Sequence, residues 1–458
     1  MRSPYQRFVE RVLYPLDVMR RGSRELRILT RLEETERFGS EKLHDLRLGA
    51  LLQLLDHATR YVPFYQKRFA ESGFNINTVK DFDDLKRLPI LTKRDIQDHR
   101  EELISTFYDR GELVENRTGG STGSPLVFYH HKERLDSRQA ATLRHNRWAG
   151  YPVGCKAAIL WGHQHDISLY RSFKARLRNL LIDRQLICDS GSFSEETLSQ
   201  FTRDFRRFRP EIIVAYANSL GVVVDYCIAK KIALPRPRGI ITSAEVLTYE
   251  NRAKIESYFG VRIFDRYGSR ETSVIASECE AHAGLHINAE NLYLEFVEHG
   301  KDVEPGAVGE IIVTDLGNWA FPFIRYQIGD MGSPAKGLCR CGRTLPRMQM
   351  IAGRTTDFLY APDGRRVSGA ALTIYLAAKV PGVRQAQIIQ REKTTLIFNL
   401  VVDSNFDQSS LGLIREKVTN FFGESMQIVP NYVESIPKEP SGKYRFSICE
   451  LPITEMTQ

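Results

Sequence analysis

Between Val114 and Val313, short β-type runs such as Ala157-Ala158-Ile159-Leu160-Trp161 and Glu211-Ile212-Ile213-Val214-Ala215 alternate with charged helical stretches such as Ser194 to Phe208. This alternation constrains the fold most, because each element has an apolar face that only a second layer can cover; it predicts an α/β protein. Upstream, residues 1–110 read mainly as helix, with Leu43, Leu46, Leu48, Leu51, Leu52, Leu54 and Leu55 giving broad apolar faces at helical spacing. Downstream, Glu310-Ile311-Ile312-Val313-Thr314 and its neighbours read as strands, and Gly353-Arg354 opens a last region that ends in a Pro-, Gly- and Lys-rich loop. A boundary falls near Thr355. The expected division is a helical segment over 1–110, a core over 111–354, and a compact α+β unit over 355–458. That unit has strands at Gln385–Gln390 and Leu396–Val402 and a helix around Leu411 to Phe422. Neither an internal repeat nor a low-complexity tract is visible.

Composition narrows the function only a little. The chain has 458 residues, 42% hydrophobic and 26% charged, which is ordinary for a globular protein and enough for two to four folding units. The excess of 64 Lys+Arg over 56 Asp+Glu gives a formal charge of +8, which polyphosphates, nucleic acid and an acidic membrane would all satisfy. Arg2, Arg7, Arg11, Arg20, Arg21, Arg24, Arg27 and Arg31 make the start of the chain a basic amphipathic stretch. A solvated helix face is the preferred reading, and peripheral contact with an anionic membrane is the alternative. The most apolar stretch, Ile212 to Ala229, carries Asn218, Ser219 and Asp225 and makes a poor membrane span. The N-terminus lacks the apolar core of a signal peptide, and seven scattered cysteines do not make a disulfide framework; the expected compartment is the cytoplasm.

The strongest local signal is Thr118-Gly119-Gly120-Ser121-Thr122-Gly123-Ser124-Pro125-Leu126, between two strand-like runs. Its glycines permit close backbone approach, and its hydroxyls and N–H groups can ring a polyphosphate; a flexible turn is the bland alternative. No Gly-Lys-Ser/Thr follows, so it is not the Walker pattern. Four further motifs come after it in order: Tyr267-Gly268-Ser269-Arg270-Glu271-Thr272, Tyr326-Gln327-Ile328-Gly329-Asp330, Gly353-Arg354, and Pro437-Lys438-Glu439-Pro440-Ser441-Gly442-Lys443.

On these five motifs the sequence resembles the adenylate-forming superfamily of acyl-CoA synthetases, adenylation domains and luciferases, and more specifically the phenylacetate–CoA ligase family. The likeness covers most of the chain after residue 110. It implies a large adenylation body of several subdomains with a small mobile lid. It also implies a reaction in which ATP and Mg²⁺ convert a carboxylic acid to acyl-AMP and the acyl group then passes to an acceptor. By resemblance, Ser121, Thr122 and Ser124, with Gly123 among them, hold the ATP phosphates. Glu271 ligates Mg²⁺, a hard cation that neutralises phosphate charge. Tyr267, with Gly268 beside it, lies against adenine, Asp330 accepts the ribose hydroxyls, and Arg354 assists at ribose and phosphate. Lys443 bridges the acid and the α-phosphate, where a positioned cation stabilises the transition state more than the ground state. Singly, each would read as a surface, cap or core residue.

Three positions depart from the family pattern. The phosphate loop ends in Ser124-Pro125-Leu126 without a lysine. Thr356 stands where many relatives carry the acidic hinge of the lid, with Asp357 next to it. Ala361-Pro362-Asp363-Gly364-Arg365-Arg366-Val367 differs from the glycine loop that lines a CoA tunnel, so the acceptor is CoA or another nucleophile. That stretch, with Pro381 to Gln390, looks like the branch associated with capsule and exopolysaccharide biosynthesis. The acid is not readable: Trp161, Phe193 and Tyr216 fit a core as well as a pocket.

Cys279, Cys339 and Cys341, with one histidine of the segment Cys279 to His286, form a candidate closed tetrahedral site for one structural Zn²⁺. The Cys-x-Cys spacing is tighter than usual, but Cys279 trails the Glu271 motif and the Cys pair trails Asp330, so one fold would bring both loops together. Resemblance to metal-carrying family members favours His286 over His282. A zinc-bearing nucleic-acid or scaffold protein is the rival from another class, and it lacks a nucleic-acid motif or an aromatic basic patch. A degenerate adenylation fold kept for binding alone is the third reading, against which Glu271, Asp330 and Lys443 speak.

Overall fold

A computed structural model describes residues 3–118, 126–161, 172–189, 194–298, 300–354, 358–363, 366–368, 372, 376, 380–436 and 447–451. The chain forms two compact units, one of residues 1–328 and 332–350 and the other of residues 329–331 and 351–458.

The first unit opens with helices. The longest, Ser40–Tyr61, buries Leu43, Leu51, Leu54 and Leu55 and stops at Val62 before Pro63, where the ring forbids a further helical N–H bond. Leu51, Leu54 and Leu55 pack in one core with Phe128, Phe321 and Phe323. A hairpin of β1 (Val114–Arg117) and β2 (Val127–His130) follows, antiparallel with Arg117 opposite Val127.

The centre of the unit is one large mixed sheet. Its parallel half has β3 (Ala157–Trp161), β4 (Gln185–Asp189), β5 (Ile212–Tyr216), β6 (Gly239–Ser243) and β7 (Ile263–Ser269). Its antiparallel half adds β8 (Ser273–Glu278), β9 (Leu285–Ile287), β10 (Leu292–Glu298), β11 (Lys301–Asp302), β12 (Gly309–Asp315), β13 (Tyr326–Pro334) and β14 (Arg347–Arg354). The twelve strands run in the order β11-β10-β12-β13-β14-β9-β8-β7-β6-β5-β3-β4. The parallel strands bury one face against two helices. Ala158, Leu160, Ile213 and Ile240 are buried with Leu198, Phe201 and Phe205 of the Glu195–Phe208 helix and with Val223 and Val224 of Ala217–Ala229. Ser194 and Thr197 close a capping box at the start of the first of these helices, and Arg209 turns left-handed at its end. Ile212 to Ala229 is thus a strand and a helix, and no helix among the described residues is long and apolar enough to cross a membrane.

The second unit has its own core. β15 (Phe358–Tyr360) and β16 (Arg366–Ser368) form a hairpin. β17 (Val383–Glu392), β18 (Thr395–Val402), β19 (Gln427–Tyr432) and β20 (Ser447–Cys449) form a sheet in the order β19-β18-β17-β20. The Gln408–Phe422 helix, capped by Asp407, buries Ile414, Val418 and Phe422 with Ile388, Phe398 and Leu400. Of the departure at Ala361–Val367, Ala361 to Asp363 follow β15 and Arg366 and Val367 lie on β16, while Gly364 and Arg365 lie outside the described residues.

Candidate active site and metal cluster

The β7–β8 turn carries Glu271. The register shifts between Tyr267, opposite Ala276, and Gly268, opposite Val274. A Cβ on Gly268 would stand 2.6 Å from the Ser273 carbonyl oxygen, so only glycine fits, and Ser273 itself has φ +68°. Within the turn the Thr272 N–H donates to Ser269 Oγ at 3.2 Å.

Two arginines one helical turn apart brace this turn from the Lys132–Trp148 helix. Arg138 Nη2 donates to the Arg270 carbonyl at 2.9 Å and Arg134 Nη2 to the Thr272 carbonyl at 3.2 Å, so the backbone is held at both residues flanking Glu271. Arg134 is in turn fixed by Asp315 on β12 at 2.8 Å, an ion pair with no exposed side-chain surface on either partner. Arg138 also donates to Nε2 of His130; burial, then the nearby Arg138 and Arg134 charges, drive His130 down to about 2, leaving it neutral and able to accept. The Glu271 carboxylate is buried and accepts from Tyr326 Oη at 3.3 Å. Sequence reading missed Arg134, Arg138 and His130. Their one signal is that Lys132–Trp148 lacks a clean apolar face, so a helix crossing the interior there has to bury charge.

The ends of β3, β5, β6 and β7 open on the side where doubly wound sheets take ligands. Trp161 and Tyr216 end neighbouring strands with ring centroids 4.5 Å apart, so both stand at this edge. At the end of β6, Ala244 has φ +67°, and the next residue, Glu245, accepts from the Asn218 N–H at 2.8 Å. Tyr267 is buried on β7. Behind the edge, Asp265 accepts from Thr242 Oγ1 at 2.9 Å; burial first, then the Glu278 carboxylate, push it up to about 6.

The remaining candidates are distributed as follows. The Thr118 N–H donates to the Leu126 carbonyl and the Leu126 N–H to Thr118 Oγ1, both at 2.9 Å, pinning the two described ends of the hydroxyl-rich loop. Ser121, Thr122, Gly123 and Ser124 lie outside the described residues, as do Phe193, Thr355, Thr356, Asp357 and Lys443. Asp330 is half-buried on β13 after Gly329, whose φ is +84°, and Arg354 is the last residue of β14.

Cys279, His286, Cys339 and Cys341 place their four ligand atoms within 4.8 Å of one another. The topology explains this. Cys279 follows β8, His286 sits on β9 between Ser277 of β8 and Arg347 of β14, and the cysteine pair occupies the β13–β14 connection. Cys341 Sγ lies 3.4 Å from His286 Nε2, and Cys279 Sγ lies 3.8 Å from Cys339 Sγ. His286 Nδ1 faces the Leu345 carbonyl at 3.2 Å, which leaves Nε2 for the sulfurs' side, the usual outer partner of a ligating imidazole. Burial raises the Cys341 thiol, but the Arg343 N–H and neighbouring side-chain donors outweigh it and hold Cys341 below the usual thiol range. His282 is turned elsewhere, with Nδ1 3.3 Å from Glu278. Three sulfurs from two strand connections and one nitrogen from β9 fit a closed tetrahedral set.

The fold is shared with solved ligases: 2-hydroxyisobutyryl-CoA ligase in its postadenylation state superposes with a TM-score of 0.73, at 18% identity over 91% of both chains. By fold the chain is similar to adenylate-forming ligases. Residues 359–450 match the family described as the CapK C-terminal domain. The chain is 25% identical to protein CapK of Staphylococcus aureus over 80% of both chains. It is 27% identical to phenylacetate–coenzyme A ligase of Thermus thermophilus over 79% of this chain and 81% of the relative. Over most of its length the chain is thus similar to phenylacetate–coenzyme A ligases and to CapK, and its C-terminal residues match the CapK model.

Proposed function

We propose that this chain couples ATP to the activation of a carboxylic acid, releasing pyrophosphate and forming acyl-AMP, and then passes the acyl group to an acceptor. The observation that carries the reading is the braced β7–β8 turn, which presents a buried carboxylate beside the ends of four parallel strands. In this proposal the carboxylate of the substrate attacks the α-phosphorus, and pyrophosphate leaves along the opposite direction. Lys443 meets the charge that builds on the α-phosphate oxygens, the 119–125 loop holds the outgoing phosphates, Asp330 and Arg354 hold the ribose, and Tyr267 stacks on adenine. Mg²⁺ held by Glu271 would supply charge neutralisation on the phosphates; the hard oxygen ligand and the braced turn suit that ion. Trp161 and Tyr216 face the acid. The acid's class is open, aryl acids being the starting choice from the relatives' names.

Coenzyme A is the acceptor tested first, because phenylacetate–coenzyme A ligases are among the relatives. A role in capsule or exopolysaccharide biosynthesis belongs to the same proposal through the CapK likeness. Pyrophosphate release, assayed over aryl, fatty and amino acids with and without coenzyme A, tests it. An acid-dependent signal is the expected result, and thioester formation separates the second step. No release with any acid, at a nucleotide affinity unchanged by Glu271→Gln, would favour a fold kept only for binding.

The four-residue cluster is proposed to hold one structural Zn²⁺ that ties the β8–β9 and β13–β14 connections together. Metal analysis of untagged protein should find about one zinc per chain.

A further inference from the structure

Two helical runs of the first unit turn large apolar side chains outward. One runs from Pro4 through a π-helical turn, Val9–Leu13, to Arg20. Its inner residues Val9, Tyr14 and Val18 are buried, yet Tyr5, Phe8, Val12, Leu16 and Met19, three or four residues apart, are exposed, Leu16 by 56% and Met19 by 74%. The other runs from Phe173 to Asp183 and exposes Phe173, Leu177, Leu180 and Leu181, with Phe173 at 80% and Leu180 at 71%.

The runs abut. Tyr5 Oη donates to the Leu181 carbonyl at 2.8 Å, the Arg184 guanidinium lies 5.0 Å from the Tyr5 ring centroid, and Arg178 pairs with Asp17 at 3.0 Å. The charge around the apolar side chains is mostly basic, with Glu10 half-buried on the first run. Asp17 is buried and shared by Arg20, Arg21 and Arg178, and Asp183 is taken by Arg178. Arg7, Arg11, Lys174 and Arg176 are exposed with no ion-pair partner among the described residues.

We infer that this two-helix face docks on the surface of an anionic lipid bilayer. Its apolar side chains enter the headgroup–acyl boundary and its free cations meet lipid phosphates. A solvated face has no use for an apolar patch of this extent. A second copy would set Arg7 and Arg11 against like charges, whereas anionic lipid complements both the apolar and the cationic parts. The helices lie on the bilayer; neither is long enough to span it.

The test is flotation of the purified full chain with vesicles of phosphatidylcholine alone or mixed with phosphatidylglycerol. The chain should float with the anionic vesicles, and less so as salt is raised. Phe8→Ser/Leu16→Ser/Leu180→Ser should abolish flotation. Arg7→Ala/Arg11→Ala, a milder change that keeps the proposal testable if the first variant folds poorly, should weaken partitioning by about fivefold per cation removed. Absence of flotation by the wild type would overturn the inference, as would equal binding to both vesicle types or undiminished binding by well-folded variants. Light scattering that shows a dimer abolished by the same apolar substitutions, without flotation, would assign the face to a second copy instead.

Discussion

Glu271 is aimed by its neighbours' carbonyls: Arg138 holds the Arg270 oxygen and Arg134 the Thr272 oxygen. If the buried carboxylate carries the cation of the proposed reaction, Glu271→Gln should slow pyrophosphate release on the order of a hundredfold to a thousandfold, and Lys443→Ala by a similar factor. Nucleotide affinity should change little in the lysine variant. A lysine variant with wild-type turnover would remove Lys443 from the chemistry. A second prediction concerns Asp265, whose carboxyl titrates near 6 in the fold against an ordinary value of 3.8. Because its pKa is raised, the folded state binds this proton more tightly than the unfolded chain does. The contribution is therefore full below pH 4 and is lost as pH rises through about 6. Relative to Asp265→Asn, which keeps an acceptor for Thr242, the wild type should lose on the order of 2 kcal/mol of stability between pH 4 and pH 7. Denaturant titrations at both pH values would read this, and a constant difference would show that Asp265 keeps its ordinary titration.

At the scale of elements, the Lys132–Trp148 helix ties the β7–β8 turn to β12 through Arg134 and Asp315. Arg134→Met leaves Asp315 buried without its ion-pair partner, with only the Gly317 N–H among the described residues still donating to it, and should cost about 3–5 kcal/mol, whereas Arg134→Met/Asp315→Leu should recover much of it. Chemical denaturation of the two variants decides it; an equal loss in both would mean that packing and not charge is at stake. The cysteine cluster gives the companion prediction: Cys339→Ser/Cys341→Ser should lower bound zinc sharply and lower the melting temperature, and a zinc-free wild type of unchanged stability would dismiss the metal. Elements with one dominant signal were legible in the sequence. Ala157–Trp161 could be read to the residue because five apolar residues in a row suit a strand covered on both faces. The strand read at Glu211–Ala215 begins one residue later, since the Glu211 N–H is spent on the Lys156 carbonyl before the ladder starts. That the loop of Cys279 meets the loop of Cys339 and Cys341 was legible from their order after two motifs, whereas the choice of His286 over His282 rested on resemblance. The arginine brace was not, because a helix with buried arginines has the composition of a surface helix. Nor was the outward stripe of Phe8, Leu16 and Met19. Val9, Tyr14 and Val18 are also apolar, so periodicity gives two candidate inner faces and only the fold chooses between them.

Over the whole molecule, the two units each own a core. Residues 351–458, with their separate four-stranded sheet and the Ile414–Val418–Phe422 helix face, should fold alone, giving a dispersed amide spectrum and one cooperative unfolding transition. A fragment that stays collapsed and uncooperative would show that its core is incomplete. The large sheet has a further consequence. β7 pairs in parallel with β6 on one side and antiparallel with β8 on the other, so the sheet changes character along a single strand. The segments that leave β5 and β6 are tied to each other by the Asn218–Glu245 hydrogen bond, whereas the turn after β7 is held from the antiparallel half through Arg134 and Asp315. For protein engineering this divides the molecule into replaceable and fixed parts. If the acid meets Trp161 and Tyr216 as proposed, libraries at the strand ends Trp161, Tyr216 and Ser243 should recut the acceptable acid, while the hairpin bearing Glu271 travels unchanged between designs as a graftable cassette only if its arginine helix and Asp315 are carried with it.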